Sequence, residues 1–283
     1  MADKQVWLVT GASRGLGLDI ARAALKAGHA VIAGYRNKAK TPAFAEIEAL
    51  GGTWLQLEMA GDDVESQVQS AIALHGKIDV LINNAGWIML GGIEDTDFDH
   101  IDSIFKTNFL GPLRTIKAVL PSMRARRSGT IVNVSSSTTL EMAPGLGIYA
   151  ATKFALGGIT ETLQAEVAAF NIRTLLVFPG SMDTGARDTS GAGVHIPSSE
   201  AYKGTVLEQV EQFLLSPAFL DSASKPAAVA QRIVEAVDGT GIFTGKKLGL
   251  ILPLGKDTGS SLEKRAVMYQ NLVKDTKEVS ESV

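Results

Sequence analysis

The stretch VTGASRGLGLD, residues 9–19, decides the fold. It leaves an apolar run over 6–10 that is typical of a β-strand and enters a helical pattern. Its glycines, Gly11, Gly15 and Gly17, stand at that turn. Such a turn gathers free backbone N–H groups at the positive end of a helix dipole, and glycine lets a phosphate approach them closely. The stretch indicates a phosphate-binding turn or, alternatively, an ordinary strand-to-helix connection.

Apolar, β-rich runs alternate with amphipathic helical patterns along most of the chain. The runs lie at 6–10, 30–35, 53–58, 78–83, 129–135 and 172–178. The helical patterns lie at 15–28, 62–75, 97–127 and 149–169. Near-continuous apolar strands separated by helices indicate a parallel sheet covered on both faces, and right-handed crossovers wind it into a Rossmann-type α/β sandwich. We expect a three-layer sandwich with about seven strands, the last of them within 243–259, in a single domain over 1–283.

The composition limits the partners and the chemistry. The chain has 283 residues, of which 45% are hydrophobic, and a formal net charge of −3, which argues against nucleic acid or an acidic membrane surface as the main partner. It has no cysteine, so disulfides, zinc–thiolate sites and a cysteine nucleophile are excluded. No uncharged apolar stretch approaches the roughly 20 residues of a membrane span. We therefore expect a cytoplasmic protein.

The histidines predict no metal site. They are His29, His75, His100 and His195, and their spacing is not that of metal ligands. Surface or loop positions are the simpler interpretation for most of them. His195 differs because it falls in the Gly-, Ser- and Thr-rich stretch that follows the sixth predicted strand.

Further motifs accompany the glycine turn. NNAG (83–86) ends the fourth predicted strand, and PGSMDT (179–184) ends the sixth. Ser136 is followed by Tyr149 thirteen residues later and by Lys153 four beyond that. With TGASRGLG (10–17) and Asn108 in KTNFLG, these motifs resemble the short-chain dehydrogenase/reductase family in its single-domain branch. The resemblance runs from about residue 5 to 185.

The resemblance assigns a catalytic role to each of these side chains. Tyr149 donates or accepts the proton, Ser136 orients the substrate carbonyl, and Lys153 holds the nicotinamide ribose. Asn108 positions a water that links Lys153 to solvent. Tyr149 and Lys153 share one face of a predicted helix near its N-terminus, and both the ammonium and the helix dipole favour the phenolate. We therefore expect a lowered pKa for Tyr149.

Three consecutive serines compete for the hydrogen-bonding role. They are Ser135, Ser136 and Ser137, at the end of the fifth predicted strand. Neighbouring residues of a strand point to opposite faces, so Ser136 differs in direction from the other two. The spacing to Tyr149 in the family selects Ser136.

The resemblance also implies a nicotinamide cofactor, and the second strand indicates which one. NAD-selective sites place an acidic residue about 20 positions past the glycines, where this chain has Tyr35 followed by Arg36. Arg14 and Arg36 suit a ribose 2′-phosphate, which accepts forked, charge-assisted hydrogen bonds, so we expect NADP, with NADPH preferred over NADH. The residues expected to bind it are Gly11, Ser13, Arg14, Gly15, Leu16, Gly17, Tyr35, Arg36, Glu58, Met59, Asn84, Ala85, Gly86, Tyr149, Lys153, Pro179, Gly180, Met182 and Thr184.

These expectations predict an NADPH-dependent carbonyl reductase or the corresponding alcohol dehydrogenase. A non-catalytic NADPH-binding sensor or scaffold is the alternative, and the presence of both Tyr149 and Lys153 favours the enzyme. Residues 181–225 are expected to form a lid over an apolar ketone or aldehyde. Residues 255–283 form a C-terminal extension, helical over about 260–275, in which nothing looks catalytic. A homo-oligomer, dimer or tetramer, is expected.

Overall fold

The computed structural model describes residues 4–41, 43–182, 193–221 and 223–283. A seven-stranded parallel sheet lies at its centre, in the order β3-β2-β1-β4-β6-β7-β9, and β5 pairs with β8 in a separate small sheet. The strands are β1 (Val6–Val9), β2 (Ala30–Tyr35), β3 (Thr53–Gln56), β4 (Val80–Asn83), β5 (Ile88–Leu90), β6 (Gly129–Val134), β7 (Ile172–Pro179), β8 (Gly193–His195) and β9 (Ile251–Leu254).

Helices cover both faces of the central sheet. They are α1 (Gly15–Lys26), α2 (Phe44–Ala49), α3 (Val64–His75), α4 (Phe98–Phe105), α5 (Gly111–Arg126), α6 (Gly147–Val167), α7 (Val206–Leu215), α8 (Pro217–Asp221), α9 (Pro226–Asp238) and α10 (Lys256–Ser280). The side chains of β1 point alternately to the two faces of the sheet and so show how the layers pack. Trp7 and Val9 pack in the core that includes α1 and α9, whereas Leu8 packs with α3, α5 and α6.

The predicted three-layer fold is confirmed. The β2 strand spans the predicted 30–35, and the last strand, β9, falls within the expected stretch. The helical pattern at 97–127 is interrupted by a π-helical turn, Lys106–Leu110, between α4 and α5. The β5–β8 pair was not predicted, because strands of three residues show too little alternation to detect.

The strand order of the central sheet determines where a crevice forms. The order changes direction between β1 and β4, because β2 and β3 lie on one side of β1 and the later strands lie on the other. Ligands of open α/β sheets bind at the carboxyl ends of the strands beside such a reversal. Within the described ranges, no helix is both long and apolar enough to cross a membrane.

Candidate active site

A cavity of about 1100 Å³ opens at these strand ends, and most of the predicted site residues line it. Those in its wall are Gly11, Ser13, Arg14, Gly15, Leu16, Arg36, Glu58, Met59, Asn84, Ala85, Gly86, Ser136, Tyr149, Lys153, Pro179, Gly180 and Met182. Gly17, Tyr35 and Asn108 are absent from that lining. Thr184 lies outside the described residues.

The glycine turn forms one end of the cavity. Gly11 has a φ of +65°, and a Cβ there would stand 2.8 Å from the Ala85 Cα atom. Gly17 has a packing role instead, because a Cβ on it would collide with the Gly11 carbonyl and the Asn84 side chain. Asn84 Nδ2 in turn donates to the Thr10 carbonyl at 3.1 Å, which holds the turn against the loop after β4.

The start of α1 is open to an anion. No side chain caps its first turn, and that turn contains no acidic residue. Gly15, its first residue, and the preceding Arg14 both line the cavity. Uncapped N–H groups at the positive end of a helix are a site for a phosphate. The turn therefore fits the pyrophosphate of a dinucleotide.

The end of β2 places Arg36 and Tyr35 in different surroundings. Arg36 is exposed in the cavity wall, with Nε 3.7 Å from Glu58 Oε2. The Tyr35 ring instead packs edge-on against Phe44 and Trp54, with centroid distances of 5.5 and 5.7 Å. Neighbouring strand residues point in opposite directions, so only one of the two can face the cavity. Arg36 does, and the structure places Tyr35 in an aromatic cluster.

The first turns of α6 bring Tyr149 and Lys153 to the end of β6. Tyr149 is buried, and the Ser136 side chain lies close enough to influence the pKa of its phenol. Lys153 Nζ donates to the Val134 carbonyl at 2.9 Å and lies 5.9 Å from the centre of the Tyr149 ring. The spacing Ser-x₁₂-Tyr-x₃-Lys thus converges on one point of the cavity, as the sequence predicts. Of the three serines, Ser136 is the one that influences the pKa of the tyrosine.

Burial controls the ionisation of this pair. It raises the pKa of the Tyr149 phenol above its usual value, and the hydrogen bond from Ser136 opposes that rise only in part. It lowers the pKa of Lys153 to about 8. The expected fall in the Tyr149 pKa is therefore wrong for this structure. Removing the phenolate from water outweighs the factors that favour it.

Asn108 lies behind the cavity wall and holds it together. The side chain is buried in the π-helical turn, a feature frequent at functional sites. Its Oδ1 accepts from the Trp87 N–H at 3.0 Å, and its Nδ2 donates to the Trp87 carbonyl at 2.9 Å and to Thr152 Oγ1 at 3.2 Å. It therefore joins the loop after β4 to α6. Its water-positioning role stays a prediction.

The C-terminal helix contributes residues that the sequence analysis did not identify. Asp257 and Ser261, both in α10, line the cavity. Asp257 Oδ2 accepts from the Ser181 N–H at 2.8 Å, which fixes the segment after β7. Ser261 Oγ donates to Glu141 Oε2 at 2.8 Å, and Lys264 Nζ lies 2.9 Å from Glu141 Oε1. These bonds to Lys264 and Ser261 lower the pKa of Glu141.

The part of the wall that α7 and α8 form is apolar. Leu214 and Leu215 of α7 and Phe219 of α8 line it, facing Leu90 and Leu146. The amphipathic helix predicted in the second half of the lid is confirmed as α7. The Gly-, Ser- and Thr-rich first half falls largely on 183–192, outside the described residues.

Comparison with known proteins identifies the family. The profile described as short chain dehydrogenase matches residues 5–194. The chain therefore belongs to the short-chain dehydrogenase family, and its class is that of oxidoreductases acting on CH–OH groups. It is 44% identical to oxidoreductase claN of Passalora fulva over 208 residues, 73% of this chain and 94% of the relative. It is 36% identical to human retinol dehydrogenase 8 over 246 residues, 82% of this chain and 78% of the relative.

Solved structures share the architecture. A short-chain dehydrogenase from Streptomyces avermitilis superposes with a TM-score of 0.87 at 31% identity, covering 100% of this chain and 99% of that one. A short-chain dehydrogenase from Sphingobium yanoikuyae in complex with NADPH superposes with a TM-score of 0.73, covering 96% of each chain. At 21% identity, the second similarity shows the fold alone.

Proposed function

We propose that this chain is an NADPH-dependent carbonyl reductase, which also catalyses the reverse oxidation of the alcohol. The observation that carries the proposal is the position of Tyr149, Ser136 and Lys153 in the wall of the same cavity that the glycine turn lines. The nicotinamide of bound NADPH supplies a hydride to the carbonyl carbon. The chain must then supply one proton to the oxygen, and Tyr149 is the acid placed to do so.

The ionisation state of Tyr149 suits proton donation. Its raised pKa keeps the phenol protonated at neutral pH, so it is ready to donate to a carbonyl oxygen. Ser136 Oγ accepts from the Thr138 N–H at 3.2 Å. Its single proton, which lowers the pKa of Tyr149 in the free protein, would turn to the substrate oxygen when a carbonyl compound binds. Lys153, with a pKa of about 8, is mostly cationic at pH 7 and stabilises the phenolate left behind.

The preference for NADPH rests on the charges at the adenosine end. Arg14 and Arg36 both line the cavity there, and Glu58 lies beside Arg36 without a close, two-pronged ion pair. A 2′-phosphate would gain charge-assisted hydrogen bonds from these guanidinium groups that a 2′-hydroxyl cannot match.

An apolar ketone or aldehyde is the proposed substrate. The cations in the described part of the cavity wall, Arg14, Arg36 and Lys153, belong to the cofactor end or to the catalytic pair. The wall formed by α7 and α8 is apolar and suits a hydrocarbon body. The name of the relative retinol dehydrogenase 8, whose alcohol is apolar, supports this class. We propose that residues 181–225 close over such a substrate and exclude water.

A depletion assay tests the proposal. Purified protein is incubated with NADPH and a series of ketones and aldehydes of graded size and polarity, and loss of NADPH absorbance is followed. Bulky apolar carbonyl compounds should give a higher kcat/KM than pyruvate-like acids. Tight NADPH binding without turnover of any carbonyl compound would favour the sensor or scaffold instead. The single-domain organisation, homo-oligomeric state and cytoplasmic location stay predictions.

A further inference from the structure

Two polar atoms in the cavity wall are buried without a hydrogen-bond partner among the described residues. They are Thr138 Oγ1 and His195 Nε2, and both side chains line the same cavity as Tyr149. Folded proteins leave few buried polar groups unpaired, because a group that has lost water and gained no partner costs free energy. Two such atoms in one cavity wall call for a partner that the described residues do not supply.

Both side chains line the cavity that contains the catalytic pair. Thr138 is in the turn after β6, and its N–H donates to Ser136 Oγ. His195 ends β8, opposite Leu90 of β5. The next residue, Ile196, packs against the cluster that contains Tyr149. Two separate segments of the chain thus bring an unpaired polar atom to the cavity that Tyr149 lines.

The chemistry of the two groups indicates what they bind. A threonine hydroxyl both donates and accepts, and Nε2 of a neutral imidazole does either, depending on its tautomer. To bind a ligand, each atom has to turn towards the cavity that the rest of its side chain already lines. An oxygen of a hydroxyl or a second carbonyl suits both of them. An apolar group at this place would leave both atoms unpaired.

We propose that His195 and Thr138 are specificity-determining residues that bind a second oxygen of the substrate. The preferred substrate is then an apolar ketone that carries a hydroxyl or a further carbonyl group near the reacting one. This inference rests on the carbonyl reductase function proposed above and narrows its substrate class. A site that hydrogen-bonds a substrate oxygen rejects the analogue without it far more strongly than an apolar wall rejects a change in size.

Matched pairs of ketones test the inference. Each pair has the same carbon skeleton, with and without a hydroxyl at a graded distance from the carbonyl, and kcat/KM is measured with saturating NADPH. The wild type should prefer one hydroxyketone over its parent by roughly tenfold or more. In His195→Phe that preference should fall at least tenfold.

Further variants separate a polar contact from a general disturbance. His195→Gln keeps a polar group and should retain part of the preference, whereas Thr138→Val should lose part of it. His75→Phe serves as the control, because His75 bonds to Thr53 and lies outside the cavity lining.

The outcomes distinguish this inference from the proposed function. A wild type that reduces plain ketones and shows no preference for any hydroxyketone overturns the inference alone. A His195→Phe variant whose kcat/KM falls equally for both ketones of a pair also overturns the inference. A wild type that turns over no carbonyl compound at all refutes the proposed function.

Discussion

Lys153→Met in the cofactor-free protein isolates the effect of burying a lysine at this site. Burial lowers the folded-state pKa of Lys153 from 10.5 to about 8. Below pH 8 the lysine is charged in both states, and its burial penalty is at its largest. Between pH 8 and 10.5 the unfolded chain binds more protons than the folded one, so stability rises with pH.

The size of the effect follows from the shift. A pKa shift of this size means that the buried, charged lysine lowers the unfolding free energy by about 3 kcal/mol at neutral pH. About 2.5 kcal/mol of that destabilisation should be relieved between pH 7 and pH 10. The wild type should therefore gain about 2.5 kcal/mol of unfolding free energy relative to Lys153→Met over this range. Loss of the hydrogen bond to the Val134 carbonyl adds a constant offset, so only the dependence on pH is interpreted.

Urea denaturation at several pH values measures the difference. Lys246→Met, at an exposed lysine outside the cavity lining, corrects for the removal of one positive charge. A difference between wild type and Lys153→Met that stays flat from pH 7 to pH 10 would refute the reasoning that burial shifts this lysine.

Other predictions concern the cofactor, the C-terminal helix and the proton. Arg36→Asp should weaken NADPH binding by about 1.5 kcal/mol, roughly tenfold in Kd by fluorescence titration, and leave NADH binding unchanged or tighter. Asp257→Ala removes the acceptor of the Ser181 N–H and should lower kcat/KM about tenfold; Asp257→Asn, whose amide oxygen still accepts, should restore most of it. Alcohol oxidation needs the Tyr149 phenolate, and because its pKa is raised, the oxidation rate should climb with pH throughout pH 7 to 10. A peak near neutral pH would contradict that direction.

The features that the sequence predicted have local signals. The β2 strand and the glycine turn are short, continuous patterns, and the spacing of Tyr149 and Lys153 corresponds to one helical turn. Such signals do not depend on the rest of the fold. These signals were sufficient to predict that Ser136, Tyr149 and the glycine turn line one cavity.

The features that the sequence missed depend on distant packing. Asp257 accepts a hydrogen bond from Ser181, which lies 76 positions earlier in the chain, and no local sequence pattern predicts such a contact. The hydrophobic periodicity of the π-helical turn at Asn108 does not distinguish it from an ordinary α-helix. The direction of the Tyr149 pKa depends on how much water reaches the phenol, which only the assembled cavity determines.

Tyr149→Phe tests the central claim most directly, because it removes the acid and leaves the ring. NADPH binding and the unfolding free energy should stay close to those of the wild type, while kcat for the best carbonyl substrate should fall by about 100-fold or more. Tyr269→Phe, at an exposed tyrosine of α10, is the matched control and should keep its turnover. A Tyr149→Phe variant that retains kcat within about threefold of the wild type would contradict the account, since general acid catalysis contributes far more than that.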